Sequence, residues 1–205
     1  FEPDDGRRQF THNEALLSMT RKRPPGERFE YSSANTNMLG LLIERVTGQR
    51  YADVLGERIW SRMGAEGDGL MGLSPQGEAI AHGMFSSRLR DLARFGLLFT
   101  PEGHRDRPVL PARVTEMIRH GGRPSPYLDS AKRADFCNWF GEAPVACSWQ
   151  WDAVFSDGDL FKGGFHSQAL YISPEREVVV AFFSTGNVRA QEAYLRPIAK
   201  LFERP

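Results

Sequence analysis

Residues 25–48 read PGERFEYSSANTNMLGLLIERVTG, and this stretch decides how the rest of the chain is interpreted. Its second half carries apolar side chains at i, i+3, i+4 and i+7, the spacing of one helix face: Leu39, Leu42, Ile43 and Val46. Gly48 follows as a helix stop, and Ser33 or Asn35 is a suitable N-cap. The pattern predicts a helix over residues 34–47 whose apolar stripe faces the interior.

Shorter helical patterns lie on both sides of this helix. Residues 1–30 predict mostly loop, with a short helix over residues 13–21 that Asn13 caps. Residues 64–85 are rich in glycine and predict loop with short strands at most, and residues 121–147 are predicted to be irregular. Further helices are predicted over residues 51–62, over residues 87–98 with Ser87 as the N-cap, and over residues 111–119.

After residue 147 the helical spacing of apolar residues ends. Short runs rich in aromatic and β-branched residues alternate there with turn sequences. These runs predict consecutive antiparallel strands at residues 148–155, 160–161, 168–173 and 178–184. A closing amphipathic helix is predicted over residues 190–203, and these side chains would cover the sheet: Ala193, Leu195, Ile198 and Leu201. The order predicts an α+β fold in one domain, with a mainly helical part (1–147) and a sheet part (148–205).

Alternation along the predicted strands assigns side chains to faces. The following residues are predicted to include the buried face of a hairpin that the terminal helix covers: Leu170, Ile172, Val179, Ala181 and Phe183. Trp149 and Trp151 would share one strand face, which favours a core position over a pocket wall.

The charge and hydropathy patterns exclude several classes of partner. Lys plus Arg and Asp plus Glu both number 26, so the net charge gives no long-range attraction for nucleic acid or an anionic membrane. Arg88, Arg90 and Arg94 cluster around Asp91 without interleaved aromatic residues, which predicts a solvated helix face. No apolar run approaches the ~18 residues of a membrane span.

The potential metal and disulfide ligands form no diagnostic pattern. Cys137 and Cys147 are the two cysteines, and their spacing allows either a disulfide or two free thiols. The five histidines lack the His-Glu-x-x-His spacing of a zinc site. The sequence therefore predicts neither a metal nor another cofactor.

Several segments together resemble a known family. Residues 25–35 (PGERFEYSSAN) and 39–48 (LGLLIERVTG) resemble the second motif region of serine hydrolases of the β-lactamase and penicillin-binding-protein superfamily. Residues 90–96 (RDLARFG) resemble a downstream helix of that family, and residues 163–180 its third motif strand with a hairpin partner. The resemblance is closest to the branch of esterases and 6-aminohexanoate-oligomer hydrolases. It implies a β-lactamase/transpeptidase-like fold, of which this chain is the C-terminal two-thirds.

The chemistry implied by this resemblance is acyl transfer. A serine in a Ser-x-x-Lys box attacks a carbonyl, the lysine and a motif tyrosine relay its proton, and two backbone N–H groups hold the oxyanion. No serine of this chain has a lysine three residues later, and the four-residue spacing of Ser18 and Lys22 is accidental. We therefore expect the nucleophile box to lie upstream of Phe1.

Two residues of the first motif region are candidates for catalysis. Tyr31 matches the motif tyrosine, and the resemblance gives its phenol the role of general base and acid. The alternative is a tyrosine packed at the helix entry with its hydroxyl bound to the backbone. Ser33 matches the third position of the same box, where its hydroxyl would contact the catalytic lysine, and it is equally suited to cap the helix.

The third motif region supplies the other candidates. Lys162, Gly163 and Gly164 match the family's Lys-Thr-Gly box with Gly in place of Thr, and the N–H of Phe165 would be the second oxyanion donor. A different frame, starting at His166, and a glycine-kinked edge strand remain alternatives. His166 and His82 also fall where the family lines its substrate pocket, although a structural or surface histidine fits each position equally well.

These observations predict a serine hydrolase that cleaves amide or ester bonds of a small molecule through an acyl-enzyme, with the nucleophile outside this chain. One alternative is a catalytically inactive relative that uses the pocket as a binding module. Another is one part of a split enzyme, whose partner is the N-terminal segment of the same protein. The sequence is compatible with the bacterial cytoplasm or the periplasm.

Overall fold

The computed structural model describes residues 10–105, 108–186 and 191–202, with mainly helical elements first and a sheet after them. The elements of the first part are α1 (His12–Leu17), α2 (Ser33–Thr47), α3 (Tyr51–Leu55), β1 (Leu70–Met71), β2 (Phe85–Ser86), α4 (Leu89–Leu97), α5 (Ala112–His120), α6 (Ser125–Leu128) and α7 (Ala131–Phe140). The elements of the second part are β3 (Ala146–Ser148), β4 (Trp151–Val154), β5 (Leu160–Gly163), β6 (Ala169–Ser173), β7 (Val178–Phe182) and α8 (Glu192–Lys200).

Strands β3 to β7 form one antiparallel sheet in which each strand pairs with its neighbour in sequence. The pairing of β5 with β6 places Lys162 opposite Leu170 and Gly163 opposite Ala169. Strands β1 and β2 form a separate two-stranded sheet. The predicted α+β architecture, with helices before a small antiparallel sheet, is confirmed.

Two helices cover opposite faces of the sheet at β6. Helix α4 lies on the face of Leu170 and Val179, and its Gly96 permits a close approach, because a Cβ there would lie 2.5 Å from Val179 Cγ1. Helix α8 packs on the other face, where Leu195 joins Tyr171 in a second apolar cluster. The prediction that the terminal helix covers the Leu170 face is therefore wrong. The alternation of side chains along a strand assigns them to two faces. Because β6 is apolar on both faces, the sequence pattern does not show which helix covers which face.

The inward face of α8 also differs from the prediction. Its buried residues are Glu192, Leu195, Arg196 and Ala199. Ile198 and Leu201, which were predicted to cover the sheet, are exposed. The predicted limits of this helix at residues 190 and 203 lie outside the described residues. An arginine on the inward face is not what an apolar stripe predicts, and ion pairing explains it.

Arg196 is 2% exposed and ties α8 to the loops at one end of the sheet. Its guanidinium donates to Glu142 (2.7 and 2.8 Å), to Asp159 (3.0 Å) and to the Tyr171 hydroxyl (2.8 Å). It also lies 4.2 Å from the centroid of the Phe155 ring. The hydrogen bond from Arg196 lowers the pKa of Glu142 to about 2, against an opposing effect of partial burial.

Helix α2 begins at Ser33 and ends before Gly48 in the left-handed region, close to the predicted limits. The N-cap is Ser32, whose hydroxyl accepts from the N–H of Asn35, so Ser33 and Asn35 were both wrong as caps. The apolar stripe is directed outward, with Leu42 56% and Val46 76% exposed.

The buried residues of α2 are Asn37 and Gly40. A Cβ on Gly40 would lie 2.8 Å from the Cβ of Ala81, so the helix packs against the residue 81–82 loop through its smallest side chain. Asn37 binds His82 in the same loop. The hydrogen bonds of Asn37 and the close contact of Gly40 orient this helix. Neither residue is part of the apolar repeat from which the buried face was predicted.

Other boundaries also need correction. Thr11, not Asn13, caps α1 through a capping box with Glu14. Arg88, not Ser87, occupies the N-cap position of α4. Helix α3 ends at Leu55 and continues as a π-helical turn at Gly56–Trp60.

The region 121–147, predicted to be irregular, contains α6, α7 and the start of β3. Ser130 caps α7 and a left-handed Gly141 ends it, so its start and stop residues were present in the sequence. The predicted strand over residues 148–155 is instead the β3–β4 hairpin. Trp149 and Gln150 form its turn with φ of 49° and 70°. Trp149 is 61% exposed and Trp151 is buried, so the two do not share a strand face.

Within the described residues, no helix combines the length and apolar character needed to cross a membrane.

We predict that Arg196→Met lowers the free energy of unfolding by about 3 kcal/mol, because the substitution leaves the fully buried Asp159 with Arg176 as its one cationic partner among the described residues. Urea unfolding followed by circular dichroism measures the change. The matched control is Arg113→Met on the exposed face of α5, which should change stability by less than about 0.5 kcal/mol. Equal stability of the two variants would show that α8 is not held by this arginine.

Candidate functional site

Tyr31 lies immediately before the cap of α2, and its side chain is 53% exposed. Two ammonium groups flank its ring: Lys132 Nζ is 5.4 Å from the ring centroid and Lys162 Nζ is 5.7 Å from it. Lys132 comes from α7 and Lys162 from β5, so three elements that are distant in sequence meet at this phenol. The structure therefore brings Tyr31 next to Lys162, two residues that the sequence selected independently.

Asp152 on β4 fixes the end of β5. Its carboxylate accepts from Lys162 Nζ (2.7 Å) with one oxygen and from the N–H of Gly163 (3.0 Å) with the other. Sequence reasoning missed Asp152. The sequence could have indicated Asp152, because it is an acidic residue in an apolar strand, between Trp151 and Ala153, which the structure shows to be buried.

Lys132 is the second residue that sequence reasoning missed. Within the described residues it has no carboxylate partner, whereas the charge of Lys162 is paired with Asp152. Lys132 also lies 5.9 Å from the centroid of the Phe136 ring. It was overlooked because the region of α7 was predicted to be irregular, although Ser130 and Gly141 mark the limits of that helix.

The segment after β5 makes a tight turn. Gly164 has an extended backbone, and its N–H donates to the carbonyl of Gln168 at 2.6 Å. A single 3-10 turn, Phe165–Ser167, follows, in which His166 and Ser167 have φ of 56° and 60°. Positive φ at two consecutive non-glycine residues is a backbone arrangement that concentrates at functional sites.

Phe165 and His166 project outward from this turn. Phe165 is 80% exposed, and the two rings are in edge contact with centroids 4.0 Å apart. The N–H of Phe165 donates to no acceptor within the described residues. It is therefore free to bind a ligand oxygen close to Lys162 and Gly163.

His82 and Ser33 occupy different surroundings. His82 donates its backbone N–H to Asn37 Oδ1 (3.1 Å), and its Nδ1 lies 2.8 Å from Asn37 Nδ2. Because the amide oxygen already accepts, the amide nitrogen is the donor, and the neutral imidazole carries its proton on Nε2. His82 is thus held against α2 by Asn37. Ser33 is the first residue of α2, and its hydroxyl makes no hydrogen bond to a described residue.

An open cleft of about 500 Å³ adjoins this cluster. Its walls come from the segment before Tyr31, the loop before α6 and the β3–β4 turn, and its lining includes Arg28, Phe29, Arg123, Tyr127, Cys147 and Trp149. The Tyr127 hydroxyl donates to the carbonyl of Asp152 (3.2 Å), so the wall of the cleft contacts the strand that holds Lys162.

Cys147 lies between the cleft and the Asp152–Lys162 pair. Its thiol donates to the carbonyl of Trp151 (2.9 Å), and burial raises its pKa to about 12, with the nearby Asp152 carboxylate adding to the effect. Both cysteines are free thiols, which settles the alternative that the sequence left open. Within the described residues, no group of three or more His, Cys, Asp or Glu side chains could hold a metal ion.

Comparisons with known proteins agree on one family. The family model described as Beta-lactamase matches residues 2–202. A 6-aminohexanoate-dimer hydrolase of Paenarthrobacter ureafaciens is 30% identical over 159 residues, which cover 77% of this chain and 39% of that protein. The chain thus spans about two-fifths of the length of this curated relative.

Solved structures show the same fold. A putative 6-aminohexanoate-dimer hydrolase from Bacillus anthracis superimposes with a TM-score of 0.73 at 24% identity, over 93% of this chain and 47% of the other. EstCE1, described as a hydrolase with promiscuous acyltransferase activity, gives a TM-score of 0.60 at 13% identity over 88% and 57% of the two chains. At these identities the structural likeness concerns the fold alone.

We predict that Cys147 reacts with a disulfide reagent such as DTNB at pH 8 roughly 10³-fold more slowly than free cysteine, since little thiolate is present when the pKa is about 12. The Cys137→Ser variant isolates this thiol, and Cys147→Ser is its matched control. In denaturant the wild-type chain should release two equivalents of thionitrobenzoate. Fast labelling of native Cys137→Ser would show that the half-buried thiol of Cys147 ionises more readily than its surroundings imply.

Proposed function

Because the chain belongs to the beta-lactamase family, we propose that it forms the acid–base wall of a serine hydrolase that cleaves amide or ester bonds through an acyl-enzyme. The observation that carries the proposal is that the ammonium groups of Lys132 and Lys162 both lie within 6 Å of the Tyr31 ring centroid (5.4 and 5.7 Å), beside the glycine turn. The names of the similar proteins, a 6-aminohexanoate-dimer hydrolase and a hydrolase with promiscuous acyltransferase activity, are consistent with this reaction.

In the proposed reaction, the Tyr31 oxygen takes the proton of an attacking serine hydroxyl. The serine oxygen bonds to the substrate carbonyl carbon, and the proton then passes to the leaving nitrogen or oxygen as its bond to that carbon breaks. Water repeats the sequence to release the acyl group. Each transfer places developing negative charge on the phenol oxygen, and the ammonium groups near the ring would stabilise such charge in the transition state.

The two lysines contribute unequally to this stabilisation. Lys162 is held in place by Asp152, and the carboxylate offsets much of its charge. Lys132 has no such partner within the described residues, so no carboxylate offsets its charge near the ring. Lys162 is better suited to positioning, because the same carboxylate that binds it also fixes the N–H of Gly163.

The turn after β5 is proposed to bind the carbonyl oxygen. Gly163 and Gly164 present no side chains beside the strand end, and the N–H of Phe165 has no acceptor within the described residues. A preorganised N–H directed at the developing oxyanion is the donor that acyl transfer requires. Phe165 and His166 would then border the substrate, and Ser33 would lie near the phenol at the start of α2.

The nucleophile is proposed to come from polypeptide that these 205 residues do not include, because none of their serines has a lysine three residues later. The same observation favours a second candidate, a catalytically inactive relative that binds a ligand in the cleft. The two candidates differ in whether acylation appears once a Ser-x-x-Lys box is supplied.

We predict that the 205-residue chain by itself releases no burst of p-nitrophenol from p-nitrophenyl acetate and takes up no fluorophosphonate label, because the general base has no serine to activate. Intact-mass spectrometry after incubation with the probe measures labelling. One equivalent of covalent probe on a serine of this chain would require a different nucleophile and a different mechanism.

We predict that Tyr31→Phe slows acylation by about 10²–10⁴-fold in a chimera where this chain replaces the matched part of the 6-aminohexanoate-dimer hydrolase. The rate of fluorophosphonate labelling measures acylation. Tyr194→Phe, on the outer face of α8 and 66% exposed, is the matched control and should leave the rate unchanged. A folded chimera that never acylates would favour the binding module, and full acylation by Tyr31→Phe would remove the proposed base.

A further inference from the structure

We propose that Asp152 is a positioning residue for acyl transfer, whose carboxylate holds the end of β5 and so orients the turn that presents the Phe165 N–H. This inference rests on the proposed function, since it assigns a task at the same site. Asp152 itself would touch neither the substrate nor the reacting atoms, and its effect would pass through the backbone of residues 163–165.

The backbone pairing between β4 and β5 ends before β5 does. The last pair at this end is Ala153 with Phe161, whereas β5 stays paired with β6 through Gly163. Continuing the register would place Trp151 opposite Gly163, but the Trp151 carbonyl accepts from the Cys147 thiol (2.9 Å). Within the described residues, no backbone pair between the two strands therefore holds the N–H of Gly163.

The Asp152 carboxylate provides the contact at this point. One of its oxygens accepts from the N–H of Gly163 (3.0 Å) and the other from Lys162 Nζ (2.7 Å). The side chain of Asp152 is 15% exposed, so water competes little for these bonds, and an ionised acceptor makes them stronger than neutral hydrogen bonds. A side chain thus connects β4 to the end of β5 where the backbone does not.

Elements other than β5 fix the position of Asp152. Its carbonyl accepts from the hydroxyl of Tyr127 (3.2 Å), a residue of α6 that is 1% exposed. The carbonyl of Trp151 is held by Cys147 on β3. The two neighbours in sequence, Trp151 and Ala153, are buried. The carboxylate is therefore presented to β5 from a rigid support, which a positioning group requires.

The next two N–H groups show what this support would orient. The N–H of Gly164 donates to the carbonyl of Gln168 (2.6 Å), which closes the turn. The N–H of Phe165 has no acceptor within the described residues. The N–H groups of Gly163 and Gly164 are thus both held, and together they set the direction of the free N–H that follows.

Backbone strain in the turn makes such a support necessary. His166 and Ser167 have φ of 56° and 60°, and strained conformations of this kind persist only where surrounding contacts over-determine them. Strand β6 supplies contacts on one side of β5, and Asp152 supplies them on the other. An oxyanion donor acts only if it is in place before the reaction, and a misplacement of about 1 Å can cost about 10²-fold in rate.

Amide hydrogen exchange of the 205-residue chain, resolved by NMR, tests the positioning without any nucleophile. In Asp152→Ala the N–H groups of Gly163 and Gly164 should both exchange at least about tenfold faster than in the wild type, because the end of β5 opens more often. Asp53→Ala is the matched control, because its ion pair with Arg50 has the same length of 2.7 Å and lies on the surface outside the site. It should change neither rate.

A second pair of variants separates the acceptor from the ion pair. Asp152→Asn leaves one acceptor oxygen for two donors, so exchange at Gly163 should lie between that of the wild type and that of Asp152→Ala. Adding Lys162→Met removes the competing donor, and the double variant should return Gly163 exchange to within about threefold of the wild-type rate, a non-additive rescue. Should Asp152→Ala fail to fold, this rescue decides.

The chimera with the 6-aminohexanoate-dimer hydrolase tests the catalytic consequence. Asp152→Ala should lower the maximal rate of fluorophosphonate labelling by about 10- to 100-fold and leave the half-saturating probe concentration within about twofold, because the orientation of the oxyanion donor changes. A merely structural role would instead reduce the amount of folded chimera and leave the rate per folded molecule unchanged. Asp53→Ala should change neither quantity.

Unchanged exchange at Gly163 in Asp152→Ala, faster exchange confined to Gly163, or no rescue by Lys162→Met would each overturn the positioning role. The exchange measurements need no nucleophile, so they stand apart from the test of catalysis. The expected exchange in a chain whose chimera never acylates would keep the support of the turn and reject the hydrolase. An acylating chimera that loses no rate in Asp152→Ala would keep the hydrolase and reject Asp152 as a positioning residue.

Discussion

The rest of the structure depends on the burial of β6 on both faces. All five residues of this strand, Ala169–Ser173, are buried, so each face of the sheet needs a covering layer. Helix α4 provides one layer through a glycine that lets its backbone approach Val179. Helix α8 provides the other, and because one of its inward positions is Arg196, that layer also requires four polar partners at the end of the sheet.

The position of the candidate site follows from the same strand. The register of β5 against β6 sets which residues end the strand, with Lys162 opposite Leu170 and Gly163 opposite Ala169. This register places Lys162 and Gly163 at the strand end, where Asp152 on the next strand binds both. Tyr31 reaches the same place because Ser32 caps α2 and Phe29 binds the carbonyl of Pro126 through its N–H. The site is thus built by rigid elements, although most of its residues lie at their ends.

The sequence predicted the α+β order and selected Tyr31 and Lys162, which the structure brings together. Motif matching selected both residues because it compares the sequence with a family and needs no knowledge of packing, and their catalytic roles stay a prediction. The failures have a common physical origin in contacts that periodicity does not encode. The orientation of α2 depends on Asn37 and Gly40, the inward face of α8 on Arg196, and the β3–β4 hairpin on a turn at Trp149 that lacks the usual glycine. Lys132 and Asp152 were missed because each gains its role from a neighbour in space.

The net charge of the chain likewise does not describe the charges around the proposed site. The formal net charge is zero, which argues against binding to an extended anionic polymer. Some cations of the described residues are paired locally, as Arg94 is with Asp91 and Arg196 with Asp159. The cations around the proposed site, Lys132, Arg28 and Arg123, have no ion-pair partner among the described residues. A molecule of zero net charge therefore still places unpaired cations beside the proposed site, and screening at physiological salt limits their effect to groups within about 8 Å.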